Sequence, residues 1–167
     1  IYLCTITKKK IEMPTEIAKL SPEDREIILR APAIVAILAA ISDDGEVSED
    51  EKTESIKLAH LRTYTSEPIL HNYYKEVDLK FEENFNYVMS NLPTSWEEKE
   101  AYLESRIVCI NEILPKMDKV YSKALVSSLK SFSKHVFKSN STFLENFILP
   151  MFINKIEKEG FEPKIGK

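Results

Sequence analysis

A chain of 167 residues, 43% hydrophobic and 30% charged, is long enough for one domain with a full core, and only three glycines argue against an all-β fold rich in tight turns. The longest unbroken apolar run, Pro32 to Ile41, is about ten residues, too short to span a bilayer. The net charge of −4 divides unevenly, with 13 Lys/Arg against 22 Asp/Glu over residues 1–112 and 10 against 5 over residues 113–167. A chain of this polarity can dock a charged partner through either end, but the asymmetry is read first as a reflection of which helices face solvent.

Residues 1–20 predict an N-terminal arm: Ile1 to Thr7 is β-prone and Lys8-Lys9-Lys10 is a solvated break. Ser21-Pro22-Glu23-Asp24 is a helix start, with a Ser cap, Pro in the first turn and acids at the positive end of the dipole. That helix is expected to run to about Arg30 and to break at Pro32, which lacks a backbone donor. A second helix, Pro32 to Ser42, is apolar nearly all round and predicts burial at the centre of the fold.

The decapeptide Ser42–Glu51 follows, carrying six carboxylates. Gly45 can take positive φ and end one helix, while Ser48 and Glu51 form a capping box that starts the next. Glu49 to about Thr65 is helical, with Ile56, Ala59, His60 and Tyr64 on one face. Pro68 opens a short helix through Val77, and another covers Leu79 to Asn91 behind Phe81, Phe85, Val88 and Met89. Ser95 and Glu98 repeat the capping logic ahead of Trp96, Leu103, Ile107, Ile110 and Leu114, a continuous helical seam that Pro115 closes.

Asp118 caps a helix burying Tyr121, Leu125, Leu129, Phe132 and Val136, with Lys119, Lys123, Lys130, Lys134 and Lys138 on the opposite face. Lys138 to Ser141 joins it to a last helix, Thr142 to about Glu159, and residues 161–167 are a tail. The expectation is an all-α bundle of about seven or eight helices in one domain, residues 21–160. Moving along the chain by 95 positions sets Asn140 under Gly45 and Thr142 under Val47, which suggests two pseudo-repeated helical hairpins.

Could the acidic joint be an EF-hand loop? Gly45 and Glu51 have the separation of its sixth and twelfth positions, but position one would be Ala40 and position three Ser42. Without the first carboxylate the affinity of such a loop should fall severely, which argues against a conventional EF-hand. Asp43, Asp44, Glu46 and Glu51 can instead converge on a hard cation, Ca²⁺ or Mg²⁺, since both prefer oxygen ligands. The competing reading makes Glu49, Asp50 and Glu51 ordinary first-turn acids and Asp43 and Asp44 turn residues.

No catalytic residue can be named. None of His60, His71 or His135 has a Glu three residues before it, and there is no His-Glu-x-x-His run or phosphate-cradling glycine loop. His60 reads as a core histidine on an apolar face, and Cys109 as buried filler. Cys4 and Cys109 are in no metal-ligand spacing and read as free thiols in a reducing compartment. No charged-then-apolar leader is present, and a cytoplasmic location is expected. The lysine stripe lacks arginine and interleaved aromatics, so it reads as a solvated face rather than a nucleic-acid surface.

The run Ala31 to Ala40 followed by Asp44-Gly45-Glu46-Val47-Ser48 and Glu51 resembles the tellurite-resistance TerB-like family, in which an apolar helix runs into an Asp-Gly-x-Val-Ser-x-x-Glu joint. The match covers about residues 20–65; the rest agrees only in being helical. The resemblance implies an all-helical fold with two pseudo-symmetric halves. It also implies a bacterial stress-response role in complexes with other proteins, without known catalysis. A cation site proposed at that joint would map to Asp43, Asp44, Glu46 and Glu51, although Ser139-Asn140-Ser141 offers no carboxylate for a symmetric second half. The leading expectation is a non-enzymatic module binding partner proteins and a divalent cation, with homo-oligomerisation left open. The alternatives are a structural or interaction domain without metal, and a carboxylate–metal enzyme.

Overall fold

The protein is described by a computed structural model covering residues 15–136, apart from the side chains of Thr15, Asp43 and Asp44. Among the described residues there are six α-helices, two short 3₁₀ turns and no strand, so the all-α class holds with fewer helices than expected. They are α1 (Thr15–Ala18), α2 (Pro22–Asp44), α3 (Glu49–Thr65), α4 (His71–Asn91), α5 (Trp96–Ile113) and α6 (Lys119–Val136), with 3₁₀ turns at Pro68–Leu70 and Leu114–Lys116. The β-prone start, the predicted last helix, the tail and the second joint of the pseudo-repeat lie outside the described residues.

Helix α2 is the axis, packed against α3, α4, α5 and α6. Every residue from 31 to 41 is buried, as a helix apolar on all sides requires. Its start follows the sequence: the Ser21 hydroxyl accepts from the Asp24 N–H at 3.2 Å.

The expected break at Pro32 does not occur, because α2 runs unbroken through it. Proline removes the N–H that would bond the carbonyl four residues back, that of Ile28. The Tyr73 hydroxyl, fully buried on α4, donates to the Ile28 oxygen at 2.7 Å and replaces the missing donor. Burial holds the Tyr73 hydroxyl well above its ordinary pKa, so it keeps the proton this bond needs.

The predicted junction between two helices near Leu79 is likewise absent, and α4 is continuous over 21 residues. Its apolar face packs on α2 and α3, and Tyr74 and Phe81 reach α6, with Phe132 stacked on Tyr74 at 6.5 Å between centroids and tilted against Phe81 at 5.9 Å. Helix α3 is turned from the predicted register. It buries Ser55, Leu58, Ala59 and Thr63, leaving Tyr64 69% exposed and His60 at the surface. Its seam with α4 is laced by Lys52–Glu82 at 3.8 Å and by His60 Nδ1 to Asp78 Oδ2 at 2.9 Å.

Candidate functional site

The acidic joint between α2 and α3 is built by local chemistry. Gly45 takes φ 82°, and its N–H caps α2 by donating to the Ile41 oxygen at 2.9 Å. The capping box closes in both directions: the Glu51 N–H donates to Ser48 Oγ at 3.1 Å, and the Ser48 N–H donates to Glu51 Oε2 at 3.2 Å. Val47, between them, packs partly buried against the core and anchors the turn.

Tertiary contacts add what the sequence did not show. The first turn of α5 lies over the joint, and a Cβ placed on Gly45 would meet Cε3 and Cζ3 of Trp96 at 3.5 Å. The Lys99 ammonium, one turn further on, donates to the Gly45 carbonyl at 3.4 Å. Trp96 itself is 40% exposed, although the helical spacing had assigned it to the buried seam. The reason is position: as the first residue of α5 it overhangs the end of a core that begins at Leu103. Behind it, Glu97, Glu100 and Glu104 share a face of α5. Burial, then repulsion from Glu104 and Glu97, holds the Glu100 carboxyl above its ordinary range.

Of the four predicted cation ligands, Glu46 is exposed at the joint and Glu51 spends one oxygen on the Ser48 amide. The side chains of Asp43 and Asp44 lie outside the described ones. Among the described residues no group of three or more His, Cys, Asp or Glu is arranged to hold a metal ion.

The histidines are placed separately. His60 is a surface residue paired with Asp78, not a core histidine, because α3 turns Leu58 rather than His60 inward. His71 has Nε2 at 2.8 Å from the Ser66 carbonyl, and His135 lies at the exposed end of α6. Cys109 is a partly exposed thiol rather than buried filler.

Helix α6 carries the predicted lysine stripe, with Lys123 and Lys134 exposed and Lys119 and Lys130 partly so; Lys138 lies outside the described residues. Ser127, Lys130, Ser131, Lys134 and His135 line a groove of about 490 Å³ along that helix. No helix among the described residues is long and apolar enough to cross a membrane. Comparison with protein-family profiles, with curated proteins and with solved structures finds no match for this chain.

Proposed function

We propose that this chain is a non-enzymatic helical module of the TerB-like kind, which docks a basic segment of a partner protein across the acidic joint and the first turns of α5. The observation that carries the reading is Trp96, a large aromatic left 40% exposed against the Gly45 backbone. Tryptophan is enriched among the residues that dominate binding energy at interfaces, and here Glu97 follows it on α5 and Glu100 lies one turn on, carboxylates of the kind that form a polar rim. Glu97, Glu100 and Glu104 repel one another, and a cationic partner relieves that repulsion where water only screens it. The stress-response setting rests on the sequence resemblance alone.

Trp96 is the sole tryptophan of the chain, so its emission reports on this face directly. Titration with a lysine-rich amphipathic helical peptide is expected to give a saturable blue shift that salt weakens. The shift should disappear when Glu97, Glu100 and Glu104 are all changed to Gln. A response that is absent, or unaltered in that variant, rejects the docking face. Ca²⁺ and Mg²⁺ alone, run against Asp44→Ala, test the cation reading in the same cuvette: a change seen in the parent and lost in the variant would place a cation at the joint.

A further inference from the structure

We propose that the basic segment docked by the acidic face of α5 is helix α6 of a second copy of this chain, so that the protein associates with itself head to tail. The inference rests on the docking face proposed above and names its occupant. The two faces are oppositely charged, and neither is neutralised within its own molecule. Helix α6 contains no Asp or Glu, and among the described residues Lys119, Lys123 and Lys130 pair with no carboxylate. On α5 the carboxylates of Glu97, Glu100 and Glu104 are likewise without a cation, and Glu97 and Glu104 repel Glu100. Lys99, next to Glu100 in the chain, is turned to the Gly45 carbonyl. Both helices pack chiefly on α2, and no ion pair joins one to the other among the described residues.

Register supplies the second argument. Lys123 and Lys130 are seven positions apart on α6, as are Glu97 and Glu104 on α5, a rise of about 10.5 Å on each helix. Laid parallel with Lys123 opposite Glu97, the two helices also set Lys130 opposite Glu104. Between and beyond these charges, Ser127 falls opposite Ala101 and Ser131 opposite Ser105, all four of them exposed. Small residues on both sides of the seam let two helices approach closely. The same register brings Val120, 67% exposed at the start of α6, within a turn of Trp96, 40% exposed at the start of α5. An antiparallel pairing matches the charges too, but it sets Ser131 against Trp96 and Lys119 against Val108, where nothing complements.

The contact joins two different faces, so it is heterologous: every copy offers one of each, and growth continues until a ring closes. One helix laid on another is a small interface and its ion pairs are exposed, so the association is weak and salt-sensitive.

The test is sedimentation equilibrium of the full chain up to about 1 mM. At low salt the average mass is expected to climb above one chain with concentration. In about 0.5 M sodium chloride, where exposed charges are screened, it should return to one chain. Two neutralised variants divide the contact: Glu97→Gln with Glu104→Gln removes one face, and Lys123→Gln with Lys130→Gln removes the other. None of the four positions is buried, so each variant should unfold as cooperatively as the parent. Each alone should associate at least tenfold more weakly. Lys75→Gln with Lys80→Gln removes as much positive charge from exposed positions of α4 and should associate as the parent does. Mixed together, the two neutralised variants retain one intact face of each kind and should form a one-to-one pair that grows no further. A parent that stays a single chain at low salt, an association indifferent to salt or to both double variants, or a mixture that yields no one-to-one pair overturns the inference. If the parent stays a single chain while Trp96 emission still answers the lysine-rich peptide, the docking face stands and its assignment to a second copy falls.

Discussion

The hydroxyl of Tyr73 stands in for the backbone N–H that Pro32 lacks, donating to the Ile28 carbonyl at 2.7 Å from a helix 45 positions further along the chain. Removing the hydroxyl strands a buried acceptor, a change that costs about 1–3 kcal/mol. Tyr73→Phe is expected to lower the unfolding free energy by that amount. Pro32→Ala restores an in-helix donor for the same oxygen, so in that background Tyr73→Phe should cost clearly less. Urea unfolding of the four proteins of this double-mutant cycle measures the coupling, and additive losses would reject the substitution of one donor by the other.

At the joint, Ser48→Ala removes the N-cap of α3 and should cost about 0.5–2 kcal/mol. Glu51→Gln preserves a side-chain acceptor for the Ser48 amide, so it should cost less than Ser48→Ala while removing a charge that a cation would need. Comparing the two by chemical denaturation, with and without Ca²⁺, separates a capped turn from a cation ligand. Loss of a Ca²⁺ stabilisation specifically in Glu51→Gln would mark the residue as a ligand.

Gly45 has φ 82°, where a residue with a Cβ pays about 1–2 kcal/mol. The added methyl of Gly45→Ala would meet Trp96 at 3.5 Å, an ordinary contact, so backbone conformation and not crowding sets the cost. Gly45→Asn should be milder than Gly45→Ala, since Asn tolerates this region. Equal losses for Ala and Asn in thermal unfolding would point to crowding instead.

Two carboxylates shift in opposite directions and predict opposite pH effects. Glu16 accepts from Lys19 Nζ and from the Asp118 N–H, both at 2.8 Å, and these bonds lower its pKa below 4.5. Its stabilisation is therefore present above about pH 4.5 and lost as pH falls through the lower folded value. Glu100 is raised above 4.5 by burial and by Glu104 and Glu97, so ionising it penalises the fold once pH has risen through its folded value. Glu16→Gln should destabilise at neutral pH and flatten the acid limb, whereas Glu100→Gln should stabilise at neutral pH and do nothing near pH 3. Unfolding midpoints in urea from pH 3 to 7 check both signs.

The caps were legible in the sequence because they are local: Ser21, Ser48, Ser95 and Asp118 each bond an N–H two or three residues ahead. The all-helical class and the full burial of residues 31–41 were legible for a similar reason, since an apolar face all round leaves a helix no side to expose. The apolar stripe of α6 was legible too: Tyr121, Leu125, Leu129 and Phe132 are buried, and Val136, at the end of the helix, is partly so.

What tertiary structure alone decided lies in contacts between residues far apart along the chain. Proline's local rule predicts a break in α2, and only a tyrosine delivered by α4 explains why there is none. The buried face of α3 was misjudged because its polar and apolar residues intermix, so packing on α4 chose Leu58 and Thr63 over His60 and Tyr64. The acidic joint could be read as a capped turn, but Trp96 and Lys99 reach it from α5, more than 50 residues away. The same holds for Ser131, whose partner Arg62 sits 69 positions earlier. Backbone caps and apolar periodicity act within one or two helical turns and leave their mark in consecutive residues. Replacement donors, overhanging aromatics and paired polar groups depend on which helices meet, and that is settled only when the whole core has closed around α2.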